Sequence, residues 1–142
     1  MKLVLDVNVL ISGALWNGPT ARLITAALRG DVQVFISLGI LLELREVLQR
    51  PKFAERLAAR DETPESLAER FRASLQEAIP AIIMPPPGLR DHDDLAVLAC
   101  AVGAKADAIV TGDEDLLSLG SFSGIPIIAP AEALMRLGLS GC

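Results

Sequence analysis

The chain has no tyrosine, one tryptophan, four phenylalanines, two cysteines and one histidine among its 142 residues. With so few rings, the core must be assembled from Leu, Ile, Val and Ala. The two cysteines, Cys100 and Cys142, do not make a disulfide framework, and this usage points to a reducing compartment, the cytoplasm. Cys100 falls inside an apolar helical stretch, and Cys142 reads as a frayed last residue. Neither has a metal-ligand spacing, and the lone His92 cannot build a zinc site; it reads as an exposed loop residue. No apolar run approaches the ~20 residues of a membrane span. The apolar start, MKLVLDVNVLISGALW, is interrupted by Asp6 and Asn8, which an export signal would not tolerate. Positive charge is also short: 13 Lys and Arg face 18 Asp and Glu, for a net charge of −5. That balance counts against non-specific nucleic-acid binding. The objection weakens if the acids gather around divalent cations, because a bound ion inverts the local charge.

What is present is a compact composition, 51% hydrophobic and 22% charged. It excludes a disordered chain and is enough for one domain, 1–142, burying about two-thirds of its unfolded surface. No repeat, linker or composition break divides it. Short apolar runs at 2–5, 32–36, 81–84, 108–111 and 125–128 read as buried strands. Helices are expected at 19–29 and after Ser37, with Ile40, Leu44, Val47 and Leu48 as the inner stripe. Others are expected near 53–59, from Pro64 with Leu67, Phe71, Leu75 and Ala78 on one face, at 95–102 with Gly103 as its stop, and at 130–137. Such βα alternation predicts an α/β fold: a three-layer α/β/α sandwich around a mostly parallel sheet of about five strands.

The acids fall at particular places in this pattern. Asp6 follows the first strand, a costly position for an unpaired charge. Asp94, with Asp91 and Asp93 beside it, opens a helix, and Asp113 follows the fourth strand. In the helix after strand two, about 100° of rotation per residue puts Glu43 at the border of the apolar stripe. Glu46 lies in water, four residues before Arg50, as a surface pair would. Helix capping is the competing reading for Asp6, Asp91, Asp93, Asp94 and Asp113. Gathered at the carboxyl edge of a parallel sheet, where such folds place ligands, these acids would repel unless protonated or bound to a cation. An all-oxygen set suits Mg²⁺ or Mn²⁺. Such ions polarise phosphoryl oxygens and activate water, which leads to phosphodiester hydrolysis. Arg45, Arg50, Lys52, Arg56 and Arg60 form the one locally basic tract, read either as a phosphate-contact surface or as a solvated helix face. Trp16 reads as packed under its loop before it reads as a base-stacking ring.

The stretches DVNVLISGALW, LLELREVLQRPKF, RDHDDLAVLACAVGAKADAIVTGDEDLLSL and IPIIAP resemble the PIN-domain nucleases, most closely the bacterial VapC-like branch assigned to toxin–antitoxin systems. The resemblance spans nearly the whole chain. It implies the α/β/α fold, Mg²⁺- or Mn²⁺-dependent RNA cleavage, a cognate antitoxin as partner and a homodimer. Carried over residue by residue, the family's four acids fall on Asp6, Glu43, Asp94 and Asp113. Asn8 and Thr111 match supporting polar positions and Asp115 an accessory acid; Asp91 and Asp93 stand beside Asp94, and only one of the acids at 91–94 need bind metal. His92 stands where this branch often has Pro. Two rival readings remain. A haloacid-dehalogenase-like phosphatase also has an Asp after its first strand, but its pattern asks for a second Asp where this chain has Asn8. The other is a non-catalytic module that binds RNA or protein.

Overall fold

The computed structural model describes residues 1–89 and 91–139; Cys142 lies outside them. The first strand, β1 (Lys2–Leu5), is fully apolar after its first residue and sits in the middle of the sheet. Helix α1 (Val7–Leu15) follows directly, then α2 (Pro19–Leu28), which has Pro at its first position. This is where the ring's fixed φ and missing N–H do no harm. Strand β2 (Gln33–Ile36) leads to α3 (Leu38–Leu48), where Ser37 Oγ accepts from the Ile40 amide at 3.3 Å. A 3-10 turn over Pro51–Phe53 and a short α4 (Ala54–Ala59) precede α5 (Pro64–Ser74). The edge strand β3 is only Gln76–Glu77. Helix α6 (His92–Ala104), β4 (Ala108–Val110), α7 (Glu114–Leu117), β5 (Ser121–Phe122), β6 (Ile125–Ile128) and α8 (Pro130–Leu137) complete the order.

Among the described residues the sheet has six strands in the order β3-β2-β1-β4-β6-β5. All neighbours are parallel except the terminal β5–β6 pair, and helices lie on both sides. Helix α6 packs on β1, β2 and β4, while α3 packs against α1, α5 and α6. Leu3, Leu5, Ile36, Ile40, Leu44, Leu48, Leu98 and Ile109 are all under 2% exposed, with Phe71 the one ring in that set. The core is therefore aliphatic, as the shortage of aromatics requires.

The structure corrects four expectations. The run 81–84 is not a strand: Ile82 is fully exposed and Met84 is 85% exposed. Pro80 and Pro85 to Pro87 remove the amide donors a central strand needs, and the segment is pinned instead by the Ala81 amide on the Ala99 carbonyl at 2.9 Å. The third strand is β3, because α5 ends at Ser74 rather than running through Ala78. Leu75 and Ala78 are buried from extended backbone, so their spacing mimicked a helix. Gly103 does not stop α6. A Cβ there would lie 2.0 Å from the Ile79 carbonyl oxygen, so this glycine admits a crossing backbone, and the helix ends at Lys105 in the left-handed conformation. The sixth strand, β5, is two residues in a hairpin through Ser123 and Gly124, both at positive φ, too short to leave a periodic signal.

Candidate active site at the carboxyl edge of the sheet

The centre of the site is set by strand register. Leu5 lies opposite Val110, so the next residues, Asp6 and Thr111, leave the sheet side by side. The Asp6 amide donates to the Val110 carbonyl at 3.1 Å. Asp6 then uses both carboxylate oxygens. Oδ1 accepts from the Val9 amide at 2.8 Å and caps α1, while Oδ2 accepts a short bond from the Thr111 hydroxyl. Thr111 is completely buried, and its Oγ1 also accepts from the Asp113 amide at 3.0 Å. One hydroxyl thus ties the end of β1 to the turn after β4.

Two more elements bring their acids to this point. Asp91 caps α6 through the Asp93 amide at 2.9 Å, which places Asp94 in the first turn, 7% exposed. Glu43 comes from α3, half-buried. The resulting cleft, about 180 Å³, is lined by Asp6, Asn8, Glu43, Asp91, Asp93, Asp94 and Asp113, with Val7, Val47 and Val97 as its apolar wall and Arg50 at its border. The expected acids of strand ends and helices therefore share one cleft, with Asn8 exposed at its rim. Asp113 also caps α7, through Oδ1 and the Asp115 amide at 2.9 Å. Capping and cleft placement are compatible for Asp6, Asp91 and Asp113, because each caps with only one oxygen. Asp115 is exposed on α7 and does not line the cleft.

The electrostatics match this crowding. Burial, then the Asp93 side chain by hydrogen bond and charge, then Asp91 and Asp6, push Glu43 up to about 8. Burial, followed by Asp113 and Asp91, pushes Asp94 up to about 7. Asp6 is raised by burial and lowered by the Thr111 hydroxyl and Val9 amide, with a net upward shift. Carboxyls this close must share protons or a cation.

Two residues at this cleft have a place that the sequence left open. Asp93, read either as a helix cap or as one of the acids at 91–94 that could bind metal, is the neighbour that most perturbs Glu43 after burial. Arg50 is not paired with Glu46 among the ion pairs of the described residues; it borders the acids instead. Helical spacing gives no signal for Arg50, because α3 ends at Leu48 and Arg50 follows it in extended backbone.

A family model described as "PIN domain" matches residues 2–115. The chain belongs to the PIN domain family. Two solved structures share its fold. VapBC2 from Rickettsia felis, bound to a DNA fragment from its promoter, is 14% identical over 91% of this chain and 98% of the other, with a TM-score of 0.58. FitAcB from Neisseria gonorrhoeae is 18% identical over 90% and 97%, with a TM-score of 0.53. No curated protein matches the sequence. PIN domain nucleases are hydrolases acting on nucleic acids and generally use divalent metal ions.

This PIN domain's residues can be tested against such an ion. As the side chains stand, no group of three or more His, Cys, Asp or Glu among the described residues is set to hold a metal. Asp6 is engaged by the Val9 amide and the Thr111 hydroxyl, and Asp91 and Asp113 each by a backbone amide. The donor set nonetheless fits a hard cation. It is all oxygen, and Glu43 Oε2 is buried with no hydrogen-bond partner. A buried polar atom left unpaired costs about 1–3 kcal/mol, and a cation in the cleft would relieve it. No helix of the described residues is long and apolar enough to cross a membrane.

Proposed function

We propose that the chain is a Mg²⁺- or Mn²⁺-dependent endoribonuclease, the toxin of a toxin–antitoxin pair acting in the cytoplasm. The carrying observation is the convergence of Asp6, Glu43, Asp94 and Asp113 on one cleft, from two strand ends and two helices, with Glu43 Oε2 unpartnered. The fold shared with chains of VapBC2 and FitAcB supports a cognate antitoxin as partner. For the homodimer, the exposed side chains of Ile79, Ile82 and Met84 offer an apolar strip for a second copy.

In this reading Asp6, Asp94 and Asp113 hold the cation, with Asp91 and Asn8 beside them at the rim. A bound Mg²⁺ or Mn²⁺ supplies charge to the phosphoryl oxygens and acidifies water. Glu43 would bind a second ion or orient the attacking water and accept its proton. Thr111 keeps Asp6 from rotating away by donating to Oδ2, and its bond from the Asp113 amide holds the second strand end in step. The test is single-stranded RNA cleavage with Mg²⁺ or Mn²⁺, comparing wild type with Asp6→Asn and Asp94→Asn. Loss of cleavage in both supports the reading; cleavage by both at the wild-type rate overturns it.

A further inference from the structure

A second cleft, about 450 Å³, adjoins the acidic one and is lined by Asn8, Ile11, Ser12, Trp16 and Phe53. Asn8 lines both, so the two meet at that residue of α1. Asn8, Ser12 and Trp16 recur every four residues, one above the other on a helix. From Asn8 to Trp16 this face rises about 12 Å, at 1.5 Å per residue. The tryptophan at its far end is half-buried and held from two sides. Phe53 meets it edge-on with ring centroids 6.1 Å apart, and the Arg56 guanidinium lies 4.6 Å from the Trp16 centroid. Arg56 is itself steered by the Leu15 carbonyl at 3.5 Å. Lys52 lies 5.1 Å from the Phe53 centroid. In a chain of net charge −5, this wall carries Lys52 and Arg56, and Arg50 stands at the border of the acidic cleft.

An oriented aromatic ring beside cations, opening onto a cleft that leads to a phosphodiester-cleaving site, is what single-stranded nucleic acid requires. Bases stack on aromatic rings or guanidinium planes, and cations track the backbone. We propose that the Trp16 cleft binds an unpaired nucleobase of the RNA strand whose phosphodiester lies over the acids, with Lys52, Arg56 and Arg50 contacting its phosphates. Trp16 is then a positioning residue and takes no part in the chemistry. This assignment rests on the ribonuclease reading and adds the side from which the strand enters. It also calls for an unpaired strand, since a base within a duplex is already stacked and paired.

The experiment exploits Trp16 being the sole tryptophan of the chain, so that intrinsic fluorescence reports this cleft alone. The probes are a random-sequence single-stranded RNA octamer, the same length of abasic sugar–phosphate, and an RNA duplex, each titrated into the full chain with Ca²⁺ in place of Mg²⁺. The octamer should quench the tryptophan, whereas the abasic strand and the duplex should not. In cleavage assays with Mg²⁺, Trp16→Ala should raise KM about tenfold, the weight of one stacked base, with a smaller change in kcat. Trp16→Phe should recover most of the loss. Because Trp16 packs on Phe53, the circular dichroism and Tm of the variants are measured alongside; Trp16→Leu, apolar but without a ring, carries the test if Trp16→Ala does not fold. Equal quenching by the abasic strand, or an unchanged KM in the variant without a ring while cleavage still depends on Asp6 and Asp94, overturns the assignment and leaves the nuclease intact. Quenching by the octamer without any cleavage supports the base site and defeats the nuclease reading. Neither quenching nor cleavage defeats both.

Discussion

Asp94 and Leu98 lie four residues apart on one side of α6, and both are withdrawn from solvent, at 7% and 0% exposed. Their effects on the fold are opposite. Leu98 fills the space between α6 and the sheet, where a side chain of its size contributes the usual core burial. Asp94 is held among other acids and is pushed up to about 7 by burial and by Asp113 and Asp91. The same helix thus stabilises the domain along most of its length and gives up stability in its first turn. Sites that gather like charges commonly oppose the stability of the fold that carries them, and here the two tendencies are separated by a single helical turn.

The contrast can be broken first at the acid. Asp94→Asn keeps the side chain's shape but removes its charge. Cleavage should fall by about 100-fold or more, since losing even an outer-sphere partner of a metal ligand costs about 10–100-fold. The same variant should melt at or above the wild-type temperature without added metal, and a large drop in Tm would show that the charge on Asp94 supports the fold rather than opposing it.

At the other end of the pair, Leu98→Ala should destabilise by about 2–5 kcal/mol. Denaturant unfolding measures this directly, and a loss under about 1 kcal/mol would mean that α6 is not the core helix its burial indicates.

The pH dependence sharpens the comparison further. Glu43 and Asp94 have folded pKa values above those of the unfolded chain, so between about pH 4 and their folded values of about 7 and 8 the folded state binds more protons. Stability from these two groups is therefore fully present below the unfolded pKa and is lost as pH rises through that window. The Tm advantage of Glu43→Gln over wild type should widen from pH 5 to pH 8. Adding Mg²⁺ or Mn²⁺ should raise the wild-type Tm by several degrees at pH 8, with about 2.7 kcal/mol available at 100 times Kd and roughly 2–4 °C per kcal/mol for a chain near this size. A flat metal titration at pH 8 counts against the cation site.

The smallest effect is expected at the border. Arg50→Ala should slow cleavage only a few-fold, on the order of 1 kcal/mol for an exposed charge contact, while Glu46→Ala, four residues earlier on the solvent side, should change nothing measurable. Equal effects from the two would remove the distinction between them.

How far the chain could be read depended on what its patterns measure. The strand ends carrying Asp6 and Asp113 were legible because a short apolar run closed by an acid has few other uses in a parallel sheet. Glu43 was legible from helical rotation alone. Arg50 was not, because it lies past the end of α3 in extended backbone and Glu46, four residues before it, offered a plausible local match. The run 81–84 failed for a related reason: apolar composition reports a tendency to be buried, and the prolines around it decide whether backbone pairing is available.

By itself the sequence determined the α/β alternation, the aliphatic core and the acids that close strands and open helices, because these follow from periodicity and from residues set next to one another in the chain, and its motifs carried the PIN-domain resemblance. Only the tertiary structure decided that Thr111 binds Asp6, that Asp93 presses on Glu43, that Gly103 admits the Ile79 carbonyl and that Trp16 opens onto the same helix face as the acids. Each of these joins parts of the chain separated by 24 to 105 positions, or depends on which side of a helix is left uncovered. Strand register and helix packing set such distances, and no local pattern records them.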